Sequence, residues 1–156
     1  MTRNDVPSNA KKASIGVLNA ALADIIDLTN ATRMAHWNVK GPHFHGLHTM
    51  FEEFYTTLAA DTDELAERVV QLGGTALGTT QVVGKATRLK PYPEDLTDGM
   101  AHVKALIDRY GDLAASVRAG IDEADEAGDA DTADILTGVS KNLDKALWML
   151  EATAGK

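Results

Sequence analysis

LHTMFEEFYTTLAADTDELAERVVQLGG, residues 47–74, carries two patterns at once. Leu47, Phe51, Phe54, Leu58, Leu65, Val69 and Leu72 recur at the three- and four-residue steps of one helix face. His48, Glu52, Asp63 and Glu67 make a second stripe, of imidazoles and carboxylates. A helix whose apolar face is taken up by its own core, and which still presents a regular stripe of ligand-type side chains, has a task beyond folding. The segment stops at the pair Gly73 and Gly74, as helices do.

Upstream, Ile15, Leu18, Leu22, Ile25, Thr29, Thr32 and His36 mark the inward face of another helix, so His36 points toward the core. Only a turn at Gly41 and Pro42 separates the two, which makes them antiparallel neighbours. Between Gly73 and Asp95 the periodicity dissolves around Pro91 and Pro93, although Thr80 to Lys85 suits a short extra helix. A third helix then reads Leu96, Met100, Val103, Ile107, Tyr110, Ala114, Val117 and Ile121. After a short acidic turn at Gly128, a fourth reads Leu136, Val139, Leu143, Leu147 and Leu150. Two antiparallel pairs joined by one long crossover between helices 2 and 3 predict an all-α fold, the ferritin-like form of the four-helix bundle. Residues 1–12 read as a flexible tail and 13–154 as the bundle domain.

A chain of 156 residues is long enough to bury one core without staples. At 44% hydrophobic and 24% charged, it fits neither a disordered nor a membrane protein. No apolar run approaches the roughly 18 residues of a membrane span, and the first residues lack a signal-peptide core, so the expected location is the cytoplasm. The absence of cysteine leaves nitrogen and oxygen as the ligands for any metal. A formal charge of -8 opposes broad adhesion to nucleic acid and suits a protein that attracts cations, while also serving solubility.

The ligand stripe has its own geometry. His48 and Glu52 are four residues apart, as are Asp63 and Glu67, so each pair presents two ligands from adjacent turns. Glu52 and Asp63 lie roughly 16 Å apart along a helix, beyond the reach of one metal site. If the helix meets its own copy antiparallel across a two-fold axis, residue numbers that face one another have a constant sum. His48 with Glu67 and Glu52 with Asp63 both sum to 115, which builds two identical sites per dimer, each shared between subunits. The same rule sets Ala59 opposite Thr56 and Ala60 opposite Tyr55, small enough for close approach. His36 can complete each site from the preceding helix. Read singly, each pair is also what a solvated helix face carries.

The run His36-Trp37-Asn38-Val39-Lys40-Gly41-Pro42, then Ala66-Glu67-Arg68 and Gln71-Leu72-Gly73-Gly74 with Ala76-Leu77-Gly78-Thr79-Thr80-Gln81, resembles the Dps family of mini-ferritins. Asp131-Thr132-Ala133-Asp134-Ile135-Leu136 and Leu143-Asp144-Lys145 with Leu147-Trp148 extend the likeness, which runs from about Asn4 to Glu151. The resemblance implies an intersubunit ferroxidase centre at His36, His48, Glu52, Asp63 and Glu67, these residues being both the catalytic set and the iron ligands. Aspartate is the commoner residue where this chain has Glu52. It further implies a hollow homo-oligomer of twelve chains built from two-fold dimers. That particle oxidises Fe(II), preferably with hydrogen peroxide, stores ferric oxide and protects DNA during stress. The Glu-x-x-His signature of an ordinary ferritin site is absent from the sequence.

Weaker features keep two readings each. Trp37 suits radical quenching or plain packing, and His43 and His45 suit iron transfer or no role. Asp129, Asp131 and Asp134 open the last helix, where carboxylates either cap the amide groups or line a cation pore at a three-fold axis. The alternative function is a nucleoid-binding, DNA-compacting protein. Against it, the first twelve residues offer only Arg3, Lys11 and Lys12 beside Asp5, so DNA binding is expected to be weak.

Overall fold

The computed structural model describes residues 2–155 and holds five helices in the order α1 (Ser8–Asn38), α2 (Phe44–Gln71), α3 (Thr80–Ala86), α4 (Gly99–Ala127) and α5 (Ala130–Thr153). Among the described residues there is no strand, and none of the helices is long and apolar enough to cross a membrane. The long helices pair as α1 with α2 and α4 with α5, and α1 packs on α4 to join the pairs. Short connections dictate the antiparallel pairs, and α3 lies within the crossover. The expected all-α bundle and its extra helix are both present.

The apolar stripe of α2 forms its core face: Leu47, Phe51, Phe54, Leu58, Leu65, Val69 and Leu72 are all buried. They join Leu18, Leu22 and Ile25 of α1, Val103, Leu106 and Leu113 of α4, and Leu136, Leu143 and Leu150 of α5 in one continuous core. The crossover is pinned by Asp24, fully buried on α1, which accepts from the Arg88 backbone N–H at 2.7 Å and pairs with its guanidinium.

Two boundaries depart from the periodic reading. The third long helix begins at Gly99 and not at Leu96, because the Asp98 carboxylate caps it by accepting from Ala101 N–H at 2.9 Å. Gly99 sits close against Leu47: a Cβ at this position would lie 2.6 Å from Leu47 Cδ1 and would push that side chain aside. The expected tail of residues 1–12 is also too long. Helix α1 starts at Ser8, Ala10 is fully buried, and Val6 packs on the core. The Thr2 hydroxyl donates to the Gln71 carbonyl, and the Lys11 ammonium donates to the Asn4 carbonyl. Pro7, with φ of -55°, is already set for a helix start that polarity alone did not reveal. Met1 of that segment lies outside the described residues.

Candidate metal centre

Helix α1 ends two residues after His36, and α2 begins four residues before His48. The intervening turn folds the chain back so that both histidines reach the same level of the bundle. Their rings stack with centroids 3.7 Å apart and planes inclined by 16°. His36 Nδ1 lies 2.7 Å from the His48 carbonyl oxygen, and His48 Nδ1 lies 2.8 Å from the His36 carbonyl oxygen. A carbonyl only accepts, so each Nδ1 carries a proton and donates.

That reciprocal anchoring has a chemical consequence. A neutral imidazole protonated at Nδ1 keeps its lone pair on Nε2, the atom that binds metals. Both histidines are therefore set in the same metal-accepting tautomer by main chain, without help from another side chain. The arrangement also satisfies a helix end. The His36 carbonyl is among the last of α1, and Lys40 N–H, its ordinary partner, instead donates to Thr97 O at 2.8 Å.

His36 is buried and His48 half-buried, whereas Glu52, Asp63 and Glu67 are exposed on α2. The structure thus joins the two histidines and leaves the carboxylates on an open face. Ala59 and Ala60 lie exposed on the same helix. Among the described residues, no three His, Asp or Glu side chains of this one chain converge to hold a metal ion. Trp37 is 67% exposed, so core packing does not account for it. His43 and His45 are exposed at the start of α2.

Around the histidines are groups that the spacing did not single out. Tyr55 meets the His36 ring edge-on at 5.3 Å, and the Arg33 guanidinium sits 5.1 Å from the centre of the Tyr55 ring. Phe44 covers His48 at 5.0 Å. Tyr55 lies seven residues after His48 and Phe44 four before it, so both share its helical stripe, the signal that would have found them.

Of the two readings for Asp129, the structure of this chain displays the cap. Its carboxylate is 1% exposed and caps α5, accepting from Thr132 N–H at 3.1 Å and from the Thr132 hydroxyl at 2.7 Å. It also pairs with buried Arg68 at 2.7 Å. Burial raises its pKa, but the bonds from Thr132 and Arg68 outweigh burial and hold it below the usual carboxylate value. A carboxylate so occupied has no oxygen turned toward solvent cations. Asp131, 3.8 Å from Arg68, and Asp134 are both exposed.

Comparison with known proteins gives one answer. Residues 15–156 match the ferritin-like domain family. The DNA protection during starvation protein of Agrobacterium fabrum is 54% identical, over 97% of this chain and 93% of that protein. Its namesake from Brevibacillus brevis is 36% identical over 87% of this chain and 91% of that protein. Among solved structures, DpsA14 from Streptomyces coelicolor superposes with a TM-score of 0.92 at 32% identity, covering 97% of this chain and 90% of that one. A Dps protein from Vibrio cholerae, described as one of the ferritin-like diiron-carboxylate proteins, gives 0.90 at 31% identity over 97% and 96%.

Proposed function

This chain belongs to the Dps family of ferritin-like proteins, and from that premise we propose that it is an iron-oxidising, iron-storing mini-ferritin whose metal centre is shared across a two-fold axis. The observation that carries the reading is the histidine pair, whose backbone bonds leave both Nε2 lone pairs free beside an exposed stripe of carboxylates. On this reading His36, His48 and Glu52 of one subunit face Asp63 and Glu67 of the next, and iron is the substrate. Imidazole and carboxylate are ligands that Fe(II) accepts, and the anions balance the charge gained on oxidation.

The reaction is 2 Fe(II) + H2O2 + 2 H+ → 2 Fe(III) + 2 H2O. Two irons held together deliver both electrons to peroxide, so no hydroxyl radical leaves the site. The ferric product collects inside a closed shell of twelve chains, and DNA is protected because peroxide and free Fe(II) are removed together. The cytoplasm is where such a protein acts. A DNA-compacting role has less support, since the amino-terminal residues are tied to the bundle through Thr2, Val6 and Lys11 and the chain carries a charge of -8.

The test is Asp63→Asn with Glu67→Gln, which removes two anionic ligands at nearly constant volume. Rapid peroxide-driven Fe(II) oxidation should disappear in stopped flow while helix content and particle size persist. Oxidation at the wild-type rate would refute the assignment.

A further inference from the structure

The crossover carries Tyr92 to the first turn of α4, where its hydroxyl lies 2.7 Å from Nδ1 of His102. The ring planes differ by 12°. A phenol donates readily, and the only lone pair of a neutral imidazole is on a ring nitrogen, so Tyr92 O–H donates and Nδ1 accepts. The ring proton of His102 is then on Nε2, which is buried without a hydrogen-bond partner. Burial lowers the pKa of His102, so the imidazole is neutral at rest and its Nδ1 lone pair is held by the Tyr92 hydroxyl. Arg109 lies 4.9 Å from the centre of the Tyr92 ring and is held by the carbonyls of Lys90, Pro91 and Ala105.

This arrangement sets Tyr92 apart from the other two tyrosines. Tyr110 is fully buried and meets the Thr32 hydroxyl at 3.1 Å, a poor proton acceptor. Tyr55 packs against His36 edge-on and has no hydrogen bond from its hydroxyl among the described residues. A phenol that loses an electron becomes a strong acid, so oxidation is easy only where a base can take the proton. The backbone just before His102 touches the turn and helix that carry the histidines: Lys40 N–H donates to Thr97 O, and Gly99 lies against Leu47, the residue before His48.

We propose that Tyr92 and His102 form a one-electron donor site that quenches oxidising radicals in the protein shell. The electron leaves Tyr92 for a hydroxyl radical, which takes a proton from solvent and becomes water, or for an oxidised indole. The phenolic proton crosses to His102 Nδ1, leaving a neutral phenoxyl radical and an imidazolium. Fe(II) then returns an electron, the proton moves back, and Fe(III), Tyr92 and neutral His102 result. The supply of hydroxyl radical, from a lone Fe(II) meeting peroxide, rests on the proposed iron chemistry; the donor property does not.

Pulse radiolysis of the iron-free, full-length protein with azide radical as oxidant separates the two. Exposed Trp37 and Trp148 should be oxidised first, and phenoxyl absorption should then grow as the indolyl signal decays. Tyr92→Phe should remove more than half of the phenoxyl yield, and growth in the wild type should slow in heavy water. His102→Gln, whose amide cannot take up a proton, should abolish that isotope effect while circular dichroism shows the helices intact. A phenoxyl yield in Tyr92→Phe equal to wild type, or wild-type growth without an isotope effect, would overturn the proposal. Should the His102 variant unfold, the Tyr92→Phe yield and the wild-type isotope effect still decide it.

Discussion

Asparagine and glutamine at position 48 separate the two jobs assigned to the His48 ring. An asparagine amide reaches the place of Nδ1 and can still donate to the His36 carbonyl, but it offers nothing where Nε2 was. Glutamine places its amide near Nε2, where its oxygen is a weak ligand, and gives up the 2.8 Å bond. Losing that donor leaves a half-buried carbonyl at the end of α1 without its partner, a cost of about 1–2 kcal/mol. For a chain of this length the midpoint of thermal unfolding should fall by roughly 3–6 °C, compared at one protein concentration. His48→Asn should stay within about 1 kcal/mol of wild type yet lose rapid Fe(II) oxidation. His48→Gln should be the less stable of the two and keep more of its iron affinity. Denaturant unfolding with Fe(II) titration checks both. If His48→Asn is destabilised as much as His48→Ala, the backbone bond is not what holds the ring.

The shared site also predicts complementation: particles mixed from His48→Ala and Glu67→Ala subunits should regain activity that neither homogeneous particle has, because both lesions can fall in one interface site and leave another whole. Light scattering at physiological salt should find a particle of roughly 200 kDa, and a stable dimer mass would remove the storage function. Asp61, 5% exposed and bonded to Asn142 at 2.9 Å, has its pKa raised by burial to about 6 despite that bond, with Glu64 adding to the rise. A raised folded-state pKa gives stability that is full below the unfolded value near 3.8 and lost as pH climbs through 6. Asp61→Asn should therefore stabilise most above pH 6, by at most about 3 kcal/mol, with the gain shrinking toward pH 4 in unfolding titrations.

Where the sequence was most informative, the physics was local and periodic. The buried faces of α1, α2, α4 and α5 follow directly from three- and four-residue spacing, because each helix hides one stripe whatever its neighbours are. Its errors fall where a tertiary contact decides. The start of α1 depends on residues 2–7 lying against the end of α2, and polar Ser8, Asn9 and Lys11 give no hint of that. Asp129 kept both a capping and a pore reading because its partner Arg68, 61 residues away in sequence, cannot be linked to it by any helical repeat. In the candidate centre, residue types and spacing named the histidines, but their mutual bonds to main chain depend on the depth of the turn between α1 and α2.

Those bonds bear on how the proposed site would assemble. Each ring's hydrogen bond goes to the other residue's backbone, so replacing one histidine removes the stacking but leaves the donor bond of the other in place. The histidine half of the site is thus organised within a single chain before any partner arrives, and dimerisation has only to bring carboxylates to it. Aligning two ring-flipping imidazoles at the interface would otherwise draw on the free energy of association. In the proposed dimer, the exposed surface around Ala59 and Ala60 would be left to hold the subunits together. Weakening that surface should then reduce the number of intact sites without lowering the iron affinity of those that form.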